Sequence, residues 1–139
     1  MIYAVIDTNV LVSALITKNP DAATAKVVRL LLDYGFVPMY NADIIEEYNE
    51  VLHRGKLKIL PEVVDALISY ILEHGVEASR ANFAEIMPDE DDRVFYEVSL
   101  SNEDSFLVTG NLKHYPTSPR VITPAQFVDL VSSSTGSNN

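Results

Sequence analysis

The sequence of 139 residues contains no cysteine, and this absence limits its chemistry. It excludes disulfides, a cysteine nucleophile and zinc held by thiolates. The histidines are scattered and form no zinc-binding motif, so we expect each of them at the surface or at a helix end. They are His53, His74 and His114. A chain without disulfides fits a reducing compartment, and we predict a cytoplasmic location.

Long apolar runs and a basic leader are also missing. No apolar run approaches the roughly 18 residues of a membrane span, and no basic segment precedes the first apolar stretch. We therefore predict neither a membrane span nor a signal peptide. The length suits one domain, and we expect it to cover residues 1–131 and to be followed by a flexible polar tail at 132–139.

Basic residues are scarce. The chain has 10 Lys and Arg against 20 Asp and Glu, which gives a formal net charge of −10. This balance argues against tight, nonspecific binding of nucleic acid, because such binding depends on Lys and Arg that neutralise phosphates. It does not exclude an enzyme that acts on nucleic acid, since bound divalent metals supply positive charge locally.

Hydrophobic periodicity and turn residues predict strands that alternate with helices. The predicted strands cover 3–6, 36–40, 76–79, 105–109 and 120–122. The predicted helices cover 10–15, 21–34, 42–52, 61–74, 88–101 and 124–131, with Gly35 and Gly75 as two of the stops. This order predicts an α/β fold in which helices cover both faces of a parallel sheet.

A carboxylate directly follows the first predicted strand. Residues 3–6 form a short apolar run, and Asp7 ends it. In an open α/β sheet the ligand crevice lies outside the carboxyl ends of the strands, so Asp7 is a candidate site residue. The alternative is that Asp7 or Thr8 only caps the following helix, since both residue types are good N-caps.

The helix predicted over 42–52 carries a glutamate at the edge of its apolar face. At about 100° per residue its apolar side chains form one arc, and Glu47 lies beside that arc. A carboxylate there is partly buried, which is costly unless it is paired or bound to a metal. Alternatively, Glu47 extends from the edge of the arc into water.

Two further polar groups stand at element ends. Four consecutive acids at 89–92 precede a predicted helix, where the helix dipole favours anions and Asp89 is a natural N-cap. Capping needs fewer than four acids, and a cation would relieve their repulsion, but periodicity does not choose among them. Asn111 follows the strand predicted over 105–109, and it is either a group of the same crevice or an ordinary turn residue.

Together these segments resemble a PIN domain over residues 1–131. The resemblance is carried by four motifs in series, namely Val5-Ile6-Asp7-Thr8-Asn9, Glu46-Glu47-Tyr48-x-x-Val51-Leu52, Asp89-x-x-Asp92 and Val108-Thr109-Gly110-Asn111. The chain looks most similar to the bacterial VapC-like branch, the toxin components of toxin–antitoxin systems. The resemblance implies a three-layer α/β/α sandwich with a central, mostly parallel five-stranded sheet.

The resemblance also implies the residues of the site. The implied catalytic residues are Asp7, Glu47, Asp92 and Asn111, the implied metal ligands are Asp7, Glu47, Asp92 and Asp89, and the implied supporting residues are Thr8, Asn9, Ser13 and Thr109. Asn111 departs from the family pattern, because many relatives carry Asp there. An amide oxygen still ligates a cation, but more weakly than a carboxylate.

The implied activity is metal-dependent hydrolysis of RNA phosphodiesters by activated water, with Mg²⁺ or Mn²⁺ as the cofactor. Hard cations prefer oxygen ligands, which agrees with the acids and the lack of cysteine. The implied partners are an RNA substrate, a small antitoxin protein and a second copy of the chain. The helix over 61–74 has more apolar residues than one core-facing stripe requires, and we expect it to form the homodimer interface. Those residues are Val63, Val64, Leu67, Ile68, Ile71 and Leu72.

Three alternatives differ from this interpretation. A phosphatase of the haloacid-dehalogenase type requires D-x-D after the first strand, and Asn9 stands at its third position. A response-regulator receiver needs a phosphorylated Asp at a strand end in mid-chain, and none lies at 51–57. A degenerate PIN module that binds RNA or a protein without cutting is favoured by Asn111 and by the net charge of −10.

Overall fold

The structure is a computed structural model that describes residues 1–136, and its centre is a sheet of five parallel strands. The strands are β1 (Tyr3–Ile6), β2 (Val37–Tyr40), β3 (Val76–Glu77), β4 (Phe106–Val108) and β5 (Val121–Ile122). Their order across the sheet is β3-β2-β1-β4-β5. Each pair of neighbours is parallel, so the predicted sheet is confirmed and is more uniform than the expected mostly parallel one.

Six helices complete the described part of the chain. They are α1 (Thr8–Ile16), α2 (Ala23–Leu32), α3 (Ala42–Leu52), α4 (Pro61–His74), α5 (Arg93–Ser99) and α6 (Pro124–Gly136). Helix α2 packs against α1 and α6, whereas α3 packs against α4 and α5. The consecutive residues Ala4, Val5 and Ile6 of β1 are all buried, so both faces of that strand are covered. The result is the predicted α/β/α sandwich.

The position of β1 creates a crevice at the carboxyl edge of the sheet. Strand β1 lies between β2 and β4, and the chain reaches these two neighbours by separate crossovers. Such a switch in strand order is where open α/β sheets bind ligands. Ile6 pairs with Val108 in the register, and the Asp7 backbone N–H donates to the Val108 carbonyl at 2.9 Å. The residues that follow β1 and β4 are therefore neighbours.

The bounds of several elements differ from the prediction. The helix expected over 88–101 is a 3₁₀ turn at Glu90–Asp92 followed by the shorter α5, because the Asp89 side chain accepts from the Asp91 N–H at 3.0 Å and caps the turn first. Helix α6 continues to Gly136 and does not end at Val131. Residues 132–136 of the expected tail are thus helical, and residues 137–139 lie outside the described residues. Strand β3 is also shorter than expected.

The end of α2 shows why Gly35 was the wrong residue for the helix stop. The Gly35 N–H donates to the Leu30 carbonyl at 2.7 Å, and the Tyr34 N–H donates to the Leu31 carbonyl at 3.2 Å, which is the Schellman pattern. The left-handed residue of this motif is Tyr34, with φ of 61°. Helix α2 thus ends at Leu32, two residues earlier than predicted, and a tyrosine adopts a conformation that glycine adopts more easily.

Most of the apolar residues of α4 that we expected at a dimer interface are buried inside this chain. Val64, Leu67, Ile68 and Ile71 are buried in the core of this chain, whereas Val63 and Leu72 are 43% and 46% exposed.

Within residues 1–136, no helix combines the length and the apolar character needed to cross a bilayer.

Gly75 ends α4 at a place where the backbone is crowded. A Cβ there would lie 2.5 Å from the Ile71 carbonyl oxygen and 2.6 Å from the Pro38 carbonyl oxygen. We predict that Gly75→Ala lowers the free energy of unfolding by about 2 kcal/mol, because overpacking moves the backbone. Denaturant unfolding measures this change. Gly55→Ala is the control, since no atom lies within 4 Å of its Cβ position, and an equal loss in both variants would contradict the prediction.

Candidate metal centre

Asp7 lies at the base of the crevice and is only 4% exposed. Its Oδ2 accepts hydrogen bonds from the Thr109 hydroxyl at 2.9 Å, the Tyr115 hydroxyl at 2.9 Å and the Asn9 side-chain amide at 3.4 Å. Its Oδ1 accepts one long hydrogen bond, from the Asn9 backbone N–H at 3.5 Å. Asp7 is also the N-cap of α1, so it caps this helix and lies at the carboxyl edge of the sheet.

Burial raises the pKa of Asp7 above its ordinary value, although the hydroxyls of Thr109 and Tyr115 act in the opposite direction. Each hydrogen bond to a charged group contributes roughly 1.5–3 kcal/mol. The pKa is raised nevertheless, so the cost of removing the carboxylate from water exceeds what these donors provide. A positive charge near Oδ1 would offset the remainder.

Glu47 is held against the start of α1. Its Oε2 accepts a short hydrogen bond from the Thr8 hydroxyl, which joins α3 to α1. The next residue, Tyr48, is buried and donates its hydroxyl to the Ile6 carbonyl at 2.5 Å, so α3 is fixed to the end of β1. Burial raises the pKa of Glu47, and the nearby charge of Asp7 raises it further. Glu47 therefore lies at the same edge of the sheet as Asp7.

The four acids at 89–92 differ in their exposure and in their partners, which hydrophobic periodicity could not predict. Glu90 pairs with Arg93, whose Nε lies 2.7 Å from Oε2, and this pairing lowers the pKa of Glu90 to about 2. Asp91 is exposed. Asp89 and Asp92 are half-buried, and both face the imidazole of His114.

His114 connects Asp92 to Asn111. Its Nδ1 lies 2.9 Å from Asp92 Oδ2 and 3.5 Å from Asp89 Oδ2, while its Nε2 lies 2.7 Å from Asn111 Nδ2. One nitrogen or oxygen of each of Asp89, Asp92 and His114 lies within 4.8 Å of the others, which is close enough for one metal ion. Burial and the charge of Asp7 raise the pKa of Asp92 to about 6.

The supporting residues have different surroundings. The Asn9 Oδ1 accepts from the Gly110 N–H at 3.1 Å, so Asn9 joins the turn after β4 to Asp7. The Thr109 hydroxyl donates to Asp7 and accepts from the Asn111 N–H at 3.0 Å. Ser13 lies further along α1, and its hydroxyl shares a hydrogen bond with the Thr24 hydroxyl at 3.1 Å, which joins α1 to α2.

Two residues of the crevice were missed by sequence reasoning. Tyr115 is buried and donates to Asp7, and His114, which was expected only at the surface or at a helix end, also contacts Asp92 and Asn111. Both follow Asn111 closely, at the end of a 3₁₀ turn at Leu112–His114. His114 lies three residues after Asn111, which is one 3₁₀ turn. This spacing was the signal in the sequence, because residues one turn apart point to the same side of the chain.

Comparison with protein families identifies the fold. A family model described as a PIN domain matches residues 3–113, which is most of the chain. The chain belongs to the PIN domain family. PIN domains are generally nucleases that use divalent metals, and in this PIN domain Asp89, Asp92 and His114 form a group able to hold one. Searches of curated proteins and of solved structures gave no match.

The donor chemistry of this PIN domain fits a divalent cation. Asp7, Glu47 and Asp92 are brought to one edge, and each uses one carboxylate oxygen to accept hydrogen bonds from neighbouring side chains. Within residues 1–136 no hydrogen bond is made by the second oxygen of Glu47 or of Asp92, and that of Asp7 accepts only the long one. Carboxylate oxygens in such a group suit a hard cation.

The raised pKa values predict how stability depends on pH without metal. Asp7, Glu47 and Asp92 bind protons more tightly in the folded protein than in the unfolded chain, so stability falls as pH rises from about 4.5 to 7. The lowered pKa of Glu90 acts in the opposite direction, but only below about pH 4.5. In thermal unfolding with a chelator, we expect a lower melting temperature at pH 7 than at pH 5.

The variant Asp92→Asn should reduce this difference in melting temperature, because it removes the group whose pKa is about 6. Mn²⁺ added at pH 7 should raise the melting temperature of the parent protein by several degrees, since a ligand that binds the folded state stabilises it. If the parent protein becomes more stable from pH 5 to pH 7 in the chelator, the pKa values of these three acids are not raised as described.

Proposed function

We propose that this PIN domain is a metal-dependent endoribonuclease and the toxin component of a toxin–antitoxin system of the VapC-like type. The observation that supports the proposal is the position of Asp7, Glu47 and Asp92 at the carboxyl edge of the sheet, where burial, and then the charge of Asp7, raises the pKa of both other acids. A group of acids that is costly without a cation is a metal-binding arrangement.

In this proposal the cation is Mg²⁺ or Mn²⁺, held by Asp7, Glu47 and Asp92 with Asp89 beside them. A bound divalent cation supplies activation of water and neutralises charge on the phosphate. The donors around Asp7 occupy its Oδ2, whereas Oδ1 accepts only one long hydrogen bond and would bind the cation. The Thr8 hydroxyl likewise occupies Oε2 of Glu47, and Oε1 would bind the cation. No side-chain nucleophile is required for this chemistry.

Asp7 provides the most direct test of the activity. We predict that Asp7→Asn abolishes metal-dependent cleavage of RNA and leaves the fold intact or slightly more stable, since it removes one of several like charges. A fluorogenic RNA assay with Mn²⁺ and a thermal unfolding curve measure the two effects. Asp21→Asn removes an exposed carboxylate elsewhere and is the matched control. Cleavage at the parent rate by Asp7→Asn would eliminate Asp7 as a ligand.

A substitution at Asn111 tests whether the departure from the family pattern weakens metal binding. We predict that Asn111→Asp tightens the binding of Mg²⁺ or Mn²⁺ and does not lower cleavage, because an added carboxylate increases the charge that a hard cation meets. Titration calorimetry with the metal alone measures the affinity. An unchanged or weaker affinity would mean that Asn111 lies outside the coordination sphere.

A second candidate is a PIN module that binds RNA or a protein without cutting. The favouring observation is the side chain of Asn111, which provides an amide in contact with His114 where many relatives carry an acid. Calorimetry with Mn²⁺ separates the two functions. An inert module gives no heat above that of the buffer, whereas the nuclease binds Mn²⁺.

The proposed partners are RNA, a small antitoxin protein and a second copy of the chain, all in the cytoplasm. Because most of the apolar residues of α4 are in the core, the dimer interface would use its exposed ones, Val63 and Leu72, with Leu60 just before the helix. We predict a dimeric mass by light scattering at micromolar concentration. A strictly monomeric mass would refute the dimer and leave the nuclease proposal unaffected.

A further inference from the structure

His114 lies where its imidazole faces the acids of the crevice. It ends the 3₁₀ turn at Leu112–His114, and its side chain is 41% exposed. Its Nδ1 is 2.9 Å from Asp92 Oδ2 and 3.5 Å from Asp89 Oδ2. We propose that His114 is a nitrogen ligand of the metal centre, sharing one cation with Asp92 and Asp89, and that it gives the site a preference for borderline divalent cations over Mg²⁺.

The distances are those of ligands on a common ion. Two ligand atoms that bind one cation side by side, each about 2.0–2.2 Å from it, are roughly 3 Å apart. Nδ1 of His114 has this spacing from Asp92 Oδ2 and is slightly further from Asp89 Oδ2. A cation bound between Nδ1 and the two Oδ2 atoms takes the place of the hydrogen bond from His114 to Asp92.

Asn111 provides the support that a histidine ligand needs. A metal-bound histidine normally donates its other ring N–H to a carbonyl or carboxylate oxygen. The Asn111 side-chain amide lies 2.7 Å from Nε2. The nitrogen and oxygen of an amide are interchangeable by rotation, so the Asn111 oxygen can accept the Nε2–H when Nδ1 binds a metal.

The nitrogen determines the metal preference. Mg²⁺ takes oxygen ligands almost exclusively, whereas imidazole favours later first-row metals, with affinity that rises from Mn²⁺ towards Ni²⁺. One imidazole and two carboxylates therefore form a donor set suited to borderline cations such as Co²⁺ or Zn²⁺. This inference depends on the proposed function only in that a divalent cation binds at this edge of the sheet.

The competing account is an ion pair between a charged imidazole and Asp92, and it predicts the opposite result. Removing a ligand weakens the binding of a nitrogen-accepting metal, whereas removing a positive charge strengthens the binding of every cation. We therefore compare Co²⁺ and Mg²⁺, each as the metal alone, by titration calorimetry on the full chain. The visible absorption of bound Co²⁺ reports its ligands independently of activity.

For His114→Ala we expect affinity for Co²⁺ to fall about tenfold or more, affinity for Mg²⁺ to change by less than about twofold, and the Co²⁺ absorption bands to shift. His114→Gln, which keeps a polar side chain without an imidazole nitrogen, should behave in the same way. His53→Ala is the matched control, because His53 also lies 3.0 Å from an aspartate, Asp65, but away from the crevice. It should bind both metals as the parent protein does.

Three results would overturn the assignment of His114. They are tighter binding of both metals by His114→Ala, an equal loss of both, and parent-like binding of Co²⁺ with an unchanged spectrum. In each case, loss of binding in Asp7→Asn would leave the proposed nuclease centre standing. If the parent protein binds neither metal, the proposed function and this inference both fail.

Discussion

The burial of one carboxylate governs the arrangement of the crevice. Asp7 follows β1, and the parallel pairing of β1 with β4 brings Thr109 beside it. Tyr115 and Asn9 add further donors to the same oxygen. A charged group at this depth costs several kcal/mol unless it is compensated, and its raised pKa indicates that the donors compensate it only in part. The other polar groups of this edge lie near a carboxylate whose charge is only partly compensated.

The acids around Asp7 are positioned by contacts that reach between separate elements. Thr8 holds Glu47, Tyr48 fixes α3 to the end of β1, and His114 holds Asp92. Within residues 1–136, Asp7, Glu47 and Asp92 each accept these hydrogen bonds on one carboxylate oxygen, and the other oxygen has no partner or only a long one. An arrangement that only neutralised the acids would use both oxygens. This pattern supports the proposed metal centre, and Asp7 and Asp89 also cap α1 and the 3₁₀ turn.

Sequence reasoning was most accurate where local signals agreed. Helices α3 and α4 have the predicted bounds, since an N-cap residue or a proline starts each one and an apolar stripe runs along it. It was least accurate where side-chain capping competed with helix propensity, as at Asp89, where a 3₁₀ turn replaces the first turn of the expected helix. At the end of α2 the left-handed residue is Tyr34 and not Gly35, because helix ends are set by backbone hydrogen bonds as well as by residue preference.

The sequence by itself determined the order of strands and helices, the acid that follows the first strand and the family to which the chain belongs. These features depend on periodicity and on motifs between neighbouring residues, which are local along the chain. The resemblance had named Asp89 and Asp92, and only the tertiary structure showed that His114 and Tyr115 belong to the crevice with them. Those contacts join residues 22 and 108 positions apart in sequence. The spacing after Asn111 indicates only which side of the chain these residues face, and the contacts themselves depend on the packing of separate elements, including the pairing of β4 with β1.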